Sequence, residues 1–316
     1  VQALVMLRRR HPDWGGKKLL KILAGRHPDW ELPCRSTVCD ILARHDLVRR
    51  KRRRRVIGHP GKPLTVVNSA NELWCADFKG QFRTGDGLYC YPLTVTDDYS
   101  RYLLLCHGLL SPNLVDTKEA FTRLFKEYGL PLAIRTDNGA PFAANSLGRL
   151  SQLSAWWVRL GIRPEFIEPG KPQQNGRHER MHRTLKASCT RPPGATRRAQ
   201  QRKLNAFREE FNNERPHEAL DMDTPASWYA PSSRTMPDKL LPFEYPDRFE
   251  VRYVSANGGI RWNHHWVNVS ISCIGEYVGL EEIDDGIWNV YFGPHKLGRF
   301  HERKMRIEDA YGRLNR

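Results

Sequence analysis

Three carboxylates stand in settings that propensity alone does not explain. Asp77, in Trp74-Cys75-Ala76-Asp77-Phe78-Lys79-Gly80, falls inside a stretch that reads as a strand, where Asp is disfavoured. By itself an edge strand with one wet face would account for it. Asp137, in Ile134-Arg135-Thr136-Asp137-Asn138-Gly139, falls where a short strand ends, and ligands bind at such ends in α/β sheets. By itself Asp-Asn-Gly is simply a turn. Glu179, in Asn175-Gly176-Arg177-His178-Glu179-Arg180-Met181-His182-Arg183, is by itself a helical acid among arginines. Taken together they read differently. Glu179, Arg183 and Lys186 stand at i, i+4 and i+7 and so share one helix face. An acid for a metal beside cations for phosphate suits phosphodiester chemistry. Carboxylates from a central strand, a neighbouring strand end and a nearby helix could converge on one spot. Hard oxygen ligands of this kind suit Mg²⁺ (or Mn²⁺), which keeps waters and substrate phosphate in its shell. Two such ions about 3.5–4 Å apart would hold the attacking and leaving oxygens of an in-line displacement.

The elements that would position these acids form an α/β domain over residues 71–230. Strands are predicted over 73–82, 89–96 and 102–107, with Gly85-Asp86-Gly87 as a hairpin turn. The period then changes: Phe121, Leu124, Phe125 and Tyr128 mark a helix that Gly129 and Pro131 stop. A strand at 133–136 leads to Asp137, a helix carries Leu150, Leu153, Trp157 and Leu160, and a last strand covers 163–167. A polar loop over 169–175 precedes a helix at 176–188, and a basic helix covers about 197–213. Hairpin strands followed by alternating units predict a mixed sheet with helices on its faces. No internal repeat is read from the chain.

Two further units flank this domain. Residues 1–48 read as three short helices, a helix-turn-helix unit with its third helix in a DNA groove. Residues 49–70 form a basic linker, and Arg49, Arg50, Lys51, Arg52, Arg53, Arg54 and Arg55 are seven consecutive cations. Residues 231–249, rich in Pro and charge, read as a second linker. Residues 250–316 return to strand patterns with turns at Asn257-Gly258-Gly259 and Asp285-Gly286, and predict a small β-barrel. Its Trp262, Trp266 and Trp288 are candidates for barrel core or for a surface that stacks on DNA.

The charge points to the partner. The 316 residues carry a formal net charge of +16, and such a field attracts polyanions. Residues 1–62 hold seventeen Lys and Arg against five Asp and Glu. A basic tail of this kind binds phosphates by counterion release, which fits double-stranded DNA and fits small phosphorylated metabolites poorly. No run approaches the roughly 18 apolar residues of a membrane span, and no signal peptide is read, so a cytoplasmic, nucleoid-associated protein is expected. The chain opens on Val1 rather than Met, so an upstream domain is expected to be missing. Seven scattered cysteines suit a reducing compartment; Cys34 and Cys39 near His27 and His45 leave a zinc site conceivable, although the spacing is not C-x-x-C.

The runs WCADFKG, VTDDYSR at 95–101, RTDNG at 135–139 and PQQNGRHERMHRTLK at 172–186 occur in an order that resembles the integrase catalytic core, and in particular the DDE transposases of bacterial insertion sequences. The resemblance covers the chain from about residue 10 to at least 230. It implies an α/β, ribonuclease-H-like mixed-sheet core. It also implies that Asp77, Asp137 and Glu179 are the metal-binding catalytic acids, with two Mg²⁺ or Mn²⁺ per site, and that Asp97 and Asp98 belong to a family motif without being ligands. Forty-one residues stand between Asp137 and Glu179, a few more than the family's commonest spacing, so Glu165 and Glu168 are rival third acids. The Pro-Gln-Gln-Asn-Gly run before Glu179, which matches the family's mobile loop, favours Glu179. Arg183 and Lys186 are expected to contact DNA phosphates, Lys171, Asn175 and Gly176 to lie on a loop near the scissile strand, and His178 and His182 to serve as DNA contacts or helix packing. The activity implied is cleavage at element ends and transfer of the 3′-hydroxyl to target DNA, by a dimer or larger assembly that also binds terminal repeats. A nuclease of the same fold and a non-catalytic DNA-binding protein are the alternatives.

Overall fold

The computed structural model describes residues 1–48 and 65–309. The arginine run 49–55 lies outside the described residues. So does the end of the chain from 310.

The N-terminal unit has three helices, α1 (Gln2–Arg10), α2 (Gly16–Arg26) and α3 (Arg35–Arg44). They close on Leu4, Leu7, Trp14, Leu19, Leu23, Val38 and Leu42. An internal repeat was overlooked in the sequence: Arg-His-Pro-Asp-Trp occurs at 10–14 and again at 26–30. Each copy ends a helix in the same way. The His amide bonds back to the carbonyl four residues earlier (His11 to Leu7, His27 to Leu23, both 2.9 Å), and the His ring stacks on its Trp at 3.8 and 3.7 Å. Ion pairs hold this unit to residues 210–223: Arg10–Glu214, His11–Glu210, Arg215–Asp13, Lys17–Glu218 and Lys21–Asp223, all between 3.1 and 3.5 Å. The outward face of α3, with Arg35, Ser36, Thr37 and Arg44, is left exposed.

The central unit is the predicted mixed sheet. β1 (Leu73–Phe78) pairs antiparallel with β3 (Tyr89–Asp97) and parallel with β5 (Ala133–Thr136). β3 also pairs with the short β2 (Phe82–Arg83) and with β4 (Leu103–Leu109), both antiparallel. β5 pairs parallel with β6 (Arg163–Phe166). The strand predicted over 73–82 therefore breaks after Phe78, where Gly80 takes a positive φ of 83°. Helices α4 (Leu114–Tyr128) and α5 (Gln152–Arg159) cover the sheet and bury Phe121, Phe125 and Trp157 against Trp74, Leu93, Val95 and Ile134. Asn113 caps α4 by accepting from the Asp116 amide, and Gly129 ends it at a φ of 76°. The extra residues between Asp137 and Glu179 form a loop with one 3-10 turn (Leu147–Arg149) before α5. α6 (Gly176–Cys189) and α7 (Arg197–Glu209) follow, and α7 runs into a π turn (Glu210–Glu214). They bury Met181, Leu185, Cys189, Leu204, Phe207 and Phe211 on Leu103 and Cys106 of β4.

The stretch 231–249, expected to be a linker, is a strap laid on the core. Arg234 donates to the carbonyls of Pro131 and Gly161, and Met236 and Leu240 pack on the main core. Beyond it, β7 (Phe249–Tyr253), β10 (Tyr277–Asp284), β11 (Ile287–Phe292), β12 (His295–His301) and β13 (Arg306–Glu308) form an antiparallel sheet. β8 (Gly259–Trp262) and β9 (His265–Asn268) form a separate hairpin. The two share one core, but a small β-barrel was expected here and among the described residues no strand pairing closes the sheets into one. That core also takes Leu147, Leu150, Ala155 and Val158 from the central unit, so the C-terminal unit is welded to the sheet domain. Trp262 is buried and Trp288 largely so, and both indole N–H groups donate to one oxygen of Glu302 (3.0 and 2.9 Å); they are core. Trp266, on the hairpin, is 40% exposed. Among the described residues no helix is long and apolar enough to cross a membrane.

Candidate active site

Strand register brings the first two acids together. β1 and β5 are parallel neighbours with Cys75 opposite Arg135. Two residues further on each strand stand Asp77 and Asp137, at the same level and on the same face, with backbones roughly 5 Å apart as in any sheet. Asp77 is largely buried. Burial, then the charge of Asp137, and at smaller weight that of Glu179, lifts its carboxyl to about 7, while the Phe78 amide and Lys79 oppose the shift. Asp137 lies just past the end of β5, and one of its oxygens accepts from the Gly139 amide at 3.0 Å. A Cβ at Gly139 would sit 3.2 Å from that carboxylate and press on it. Glu179 is exposed in the first turn of α6, where the helix dipole favours an anion.

The two rival third acids are committed elsewhere. Glu165 is held by Arg135 at 2.6 Å, with both side chains buried. Glu168 pairs with Lys171 and accepts from the Gln174 amide group. Asp97 and Asp98 are structural. Asp97 accepts from the Asn71 and Ser100 amides (both 2.8 Å) and from the Ser100 hydroxyl (2.6 Å). Asp98 binds Arg177 at 2.7 Å and Arg101 at 3.5 Å. The Asp98–Arg177 pair fastens the first turn of α6, and hence Glu179, to the end of β3; no local pattern announces a pair seventy-nine residues apart.

A chain of buried polar groups stands behind Asp77. Thr96 Oγ1 meets His178 Nδ1 at 2.8 Å. Thr94 Oγ1 meets His178 Nε2 at 2.8 Å and His182 Nε2 at 2.6 Å. His182 Nδ1 lies 3.7 Å from an Asp77 oxygen. Burial pushes His178 down to about 3 and His182 to about 2, so both rings are neutral. These histidines pack α6 on β3, and their burial rules out the DNA-contact reading in this conformation. A signal was available: His178, Met181, His182, Leu185 and Cys189 follow the i, i+3, i+4 spacing of a buried stripe.

Of the expected DNA contacts, Lys171, Arg183 and Lys186 are exposed and Gly176 half-buried. Asn175 is a correction: its side chain is buried, with Oδ1 unpartnered, because it fills the junction between the 3-10 turn Pro172–Asn175 and α6. Cys34 and Cys39 are exposed and free, and Cys34 Sγ contacts Ser36 and Thr37 rather than a histidine. Among the described residues no group of three His, Cys, Asp or Glu side chains is drawn together tightly enough to hold an ion. That applies to the zinc reading and to Asp77, Asp137 and Glu179 alike. The three acids are thus not closed into a cage; Mg²⁺ is usually bound through one or two carboxylates and fills its other positions with water and phosphate. The carboxyls that act on Asp77, opposed by the Phe78 amide and then by Lys79, fit a divalent cation by charge and by donor type.

Residues 67–172 and 160–225 each match a family profile described as "Integrase core domain", and the chain belongs to that family. It is 29% identical, over 188 residues, to an uncharacterized 31.7 kDa protein of insertion element IS407 from Burkholderia multivorans; the match covers 58% of this chain and 64% of that protein. It is 28% identical, over 252 residues, to an uncharacterized 39.2 kDa protein of insertion element IS476 from Xanthomonas euvesicatoria, covering 76% of this chain and 67% of that one. The chain thus spans about two thirds of these relatives. Among solved structures, the HTLV-2 integrase catalytic core domain in complex with magnesium aligns over 54% of this chain at 16% identity, with a TM-score of 0.38.

Proposed function

We propose that the chain is the transposase of a bacterial insertion sequence, with a ribonuclease-H-like catalytic core, acting on chromosomal and element DNA in the bacterial cytoplasm. The observation that supports this reading is the register of β1 and β5, which brings Asp77 level with the segment that carries Asp137, together with the charge of Glu179 felt at Asp77, in a chain of the integrase core family with a net charge of +16.

Asp77, Asp137 and Glu179 would hold the divalent cations, Mg²⁺ or Mn²⁺. Such ions, when bound, supply an activated water or hydroxyl and screening of the phosphate in flight. The chain's own residues do the rest. Arg183 and Lys186, one and two turns beyond Glu179 on its face of α6, hold backbone phosphates of the bound strand. Gly176 opens α6 without a side chain, so a DNA backbone can come close. Thr94, His178 and His182 hold the back of Asp77 and exclude water from it. Asp98 keeps α6 in place through Arg177. Hydrolysis breaks a P–O3′ bond at the element end, adds the water oxygen to phosphorus and leaves a 3′-hydroxyl. In joining, that hydroxyl oxygen bonds a target phosphorus while the target's own 3′-oxygen departs with the proton. No side-chain nucleophile enters. The exposed face of α3 and the Arg49–Arg55 run bind the terminal repeat, and two ends brought together call for a dimer or larger assembly.

The test is end cleavage and strand transfer on labelled DNA carrying the element's terminal repeats, with Mg²⁺ or Mn²⁺. Joined products from the native chain and none from Asp137→Asn support the reading. Cutting without joining would identify a nuclease instead.

A further inference from the structure

Helix α6 has three sides. One carries Glu179, Arg183 and Lys186, and a second is the buried stripe of His178, Leu185 and Cys189. The third, with Arg177, Arg180 and Thr184, borders a cavity of about 620 Å³. The other walls are Lys18 of α2, Asp98 and Arg101 at the β3–β4 turn, and Arg215 after α7. The cavity therefore lies between the N-terminal helices and the helix that bears Glu179, within the size range of ligand sites.

Its charges do not balance. Of five cations, Arg177 and Arg101 share Asp98, and Arg215 turns to Asp13 at 3.1 Å. Among the acids, Asp97 is used by Ser100 and Asn71, and Glu218 pairs with Lys17 at 3.3 Å. Lys18 and Arg180 have no carboxylate within 4.0 Å among the described residues. Lys18 is half-buried; burial, then the charge of Arg215, pulls it down to about 8, while Glu218 and Asp13 act on it in the opposite direction from beyond ion-pair distance. Arg180 is exposed at the rim and reaches only the Gly176 carbonyl at 3.4 Å. Two cations with no direct carboxylate partner, in a cavity where positive charge is in excess, are a site for an anion.

We propose that this cavity binds a phosphate group, a backbone phosphate of DNA that passes between the N-terminal helices and the active site, with Lys18 and Arg180 as its ligands. The DNA assignment rests on the function proposed above. A free nucleotide or inorganic phosphate offers the same chemistry, and the experiment separates the sources.

The full chain is titrated against a short fluorescein-labelled duplex in EDTA at increasing NaCl, as native protein, Lys18→Gln, Arg180→Gln and the double variant. Each lost phosphate contact lowers the slope of log affinity on log salt by about 0.9. The double variant is expected to lose about 1.8, with Lys18→Arg keeping the native slope. An unchanged slope in the double variant overturns the proposal, as does a Lys18→Arg slope as low as that of Lys18→Gln. In parallel, inorganic phosphate and dAMP are tested for raising the unfolding midpoint at matched ionic strength. A rise that the double variant loses, while its DNA slope stays native, assigns the cavity to free phosphate and overturns the DNA claim. Because no metal is present and no cutting is read, a native chain that shows these slopes yet never cuts or joins DNA overturns the proposed function and leaves this site standing.

Discussion

Two pairs of aspartates sit on neighbouring parts of one sheet and have opposite characters. Asp97 and Asp98, at the end of β3, are deeply buried, and every oxygen is accounted for by Asn71, Ser100, Arg101 or Arg177. Asp77 on β1 feels the charge of Asp137, just past β5, and more weakly that of Glu179, with a neutral histidine at 3.7 Å behind it. The first pair holds the chain together. The second costs stability as it stands and is balanced only when cations or protons enter. Residue type does not separate the two pairs, whereas burial and, above all, the partners do.

The comparison can be broken most forcefully by neutralising each side in turn. Asp137→Asn is expected to lower strand cutting by roughly a thousandfold or more, yet to raise the unfolding midpoint in EDTA, because it removes repulsion. Asp97→Asn is expected to lower that midpoint, at a cost of about 3 kcal/mol for mispaired buried donors, read by urea denaturation. If both substitutions shift stability in the same direction, the two pairs are not of different kinds.

A second effect is on pH. Asp77 has a folded value near 7 against an ordinary 3.8. The folded state therefore binds a proton that the unfolded chain has released over that interval, and this contribution makes stability fall as pH rises from about 4 to 7. The size is on the order of a few kcal/mol, measured by denaturation across pH in EDTA. Buried His178 and His182, pushed down to about 3 and 2, contribute with the opposite sign below about 6.5, and Asp97, raised by burial, with the same sign. The Asp77 part is therefore the difference between the native protein and Asp77→Asn across this interval, and identical slopes in the two would contradict it. Smaller still is the effect of Asp98→Ala, which frees Arg177 and Arg101. Arg177 is partly exposed, so a loss of about 1–2 kcal/mol is expected, with cutting reduced further than stability explains because the first turn of α6 is untied. The smallest effect, on stability, is that of Gly139→Ala, whose Cβ presses on the Asp137 carboxylate. Its folding should be nearly native while its apparent metal affinity falls several-fold.

Much of this arrangement was legible in the sequence because local pattern reports on local structure. Alternation and turn residues located β3, β4 and β5, the Phe121–Tyr128 spacing located α4, and Asp137 at a strand end pointed to a ligand site. What stayed hidden depends on partners far along the chain. Nothing near Asp98 announces Arg177, and nothing near Arg135 announces Glu165. The strap at 231–249 looks like a linker because its anchor, Arg234, bonds carbonyls about seventy and a hundred residues away. The repeated Arg-His-Pro-Asp-Trp makes the same point within one domain: both copies form the same helix end and ring stack, yet Trp14 is 1% exposed and Trp30 50%. Local sequence set the conformation, and packing decided the environment. The β-barrel expectation failed by degree for a related reason, since strand number can be read from turns while closure depends on which edges meet.

The most direct test of the central claim, that Asp77, Asp137 and Glu179 form one acid cluster completed by divalent cations, is calorimetric titration of the native chain with Mn²⁺ in buffers of different ionisation heat near pH 6.5. Binding that releases a proton from Asp77, and that Asp77→Asn and Asp137→Asn each abolish, is the predicted result. Mn²⁺ binding with no proton release and undiminished in both variants would contradict it.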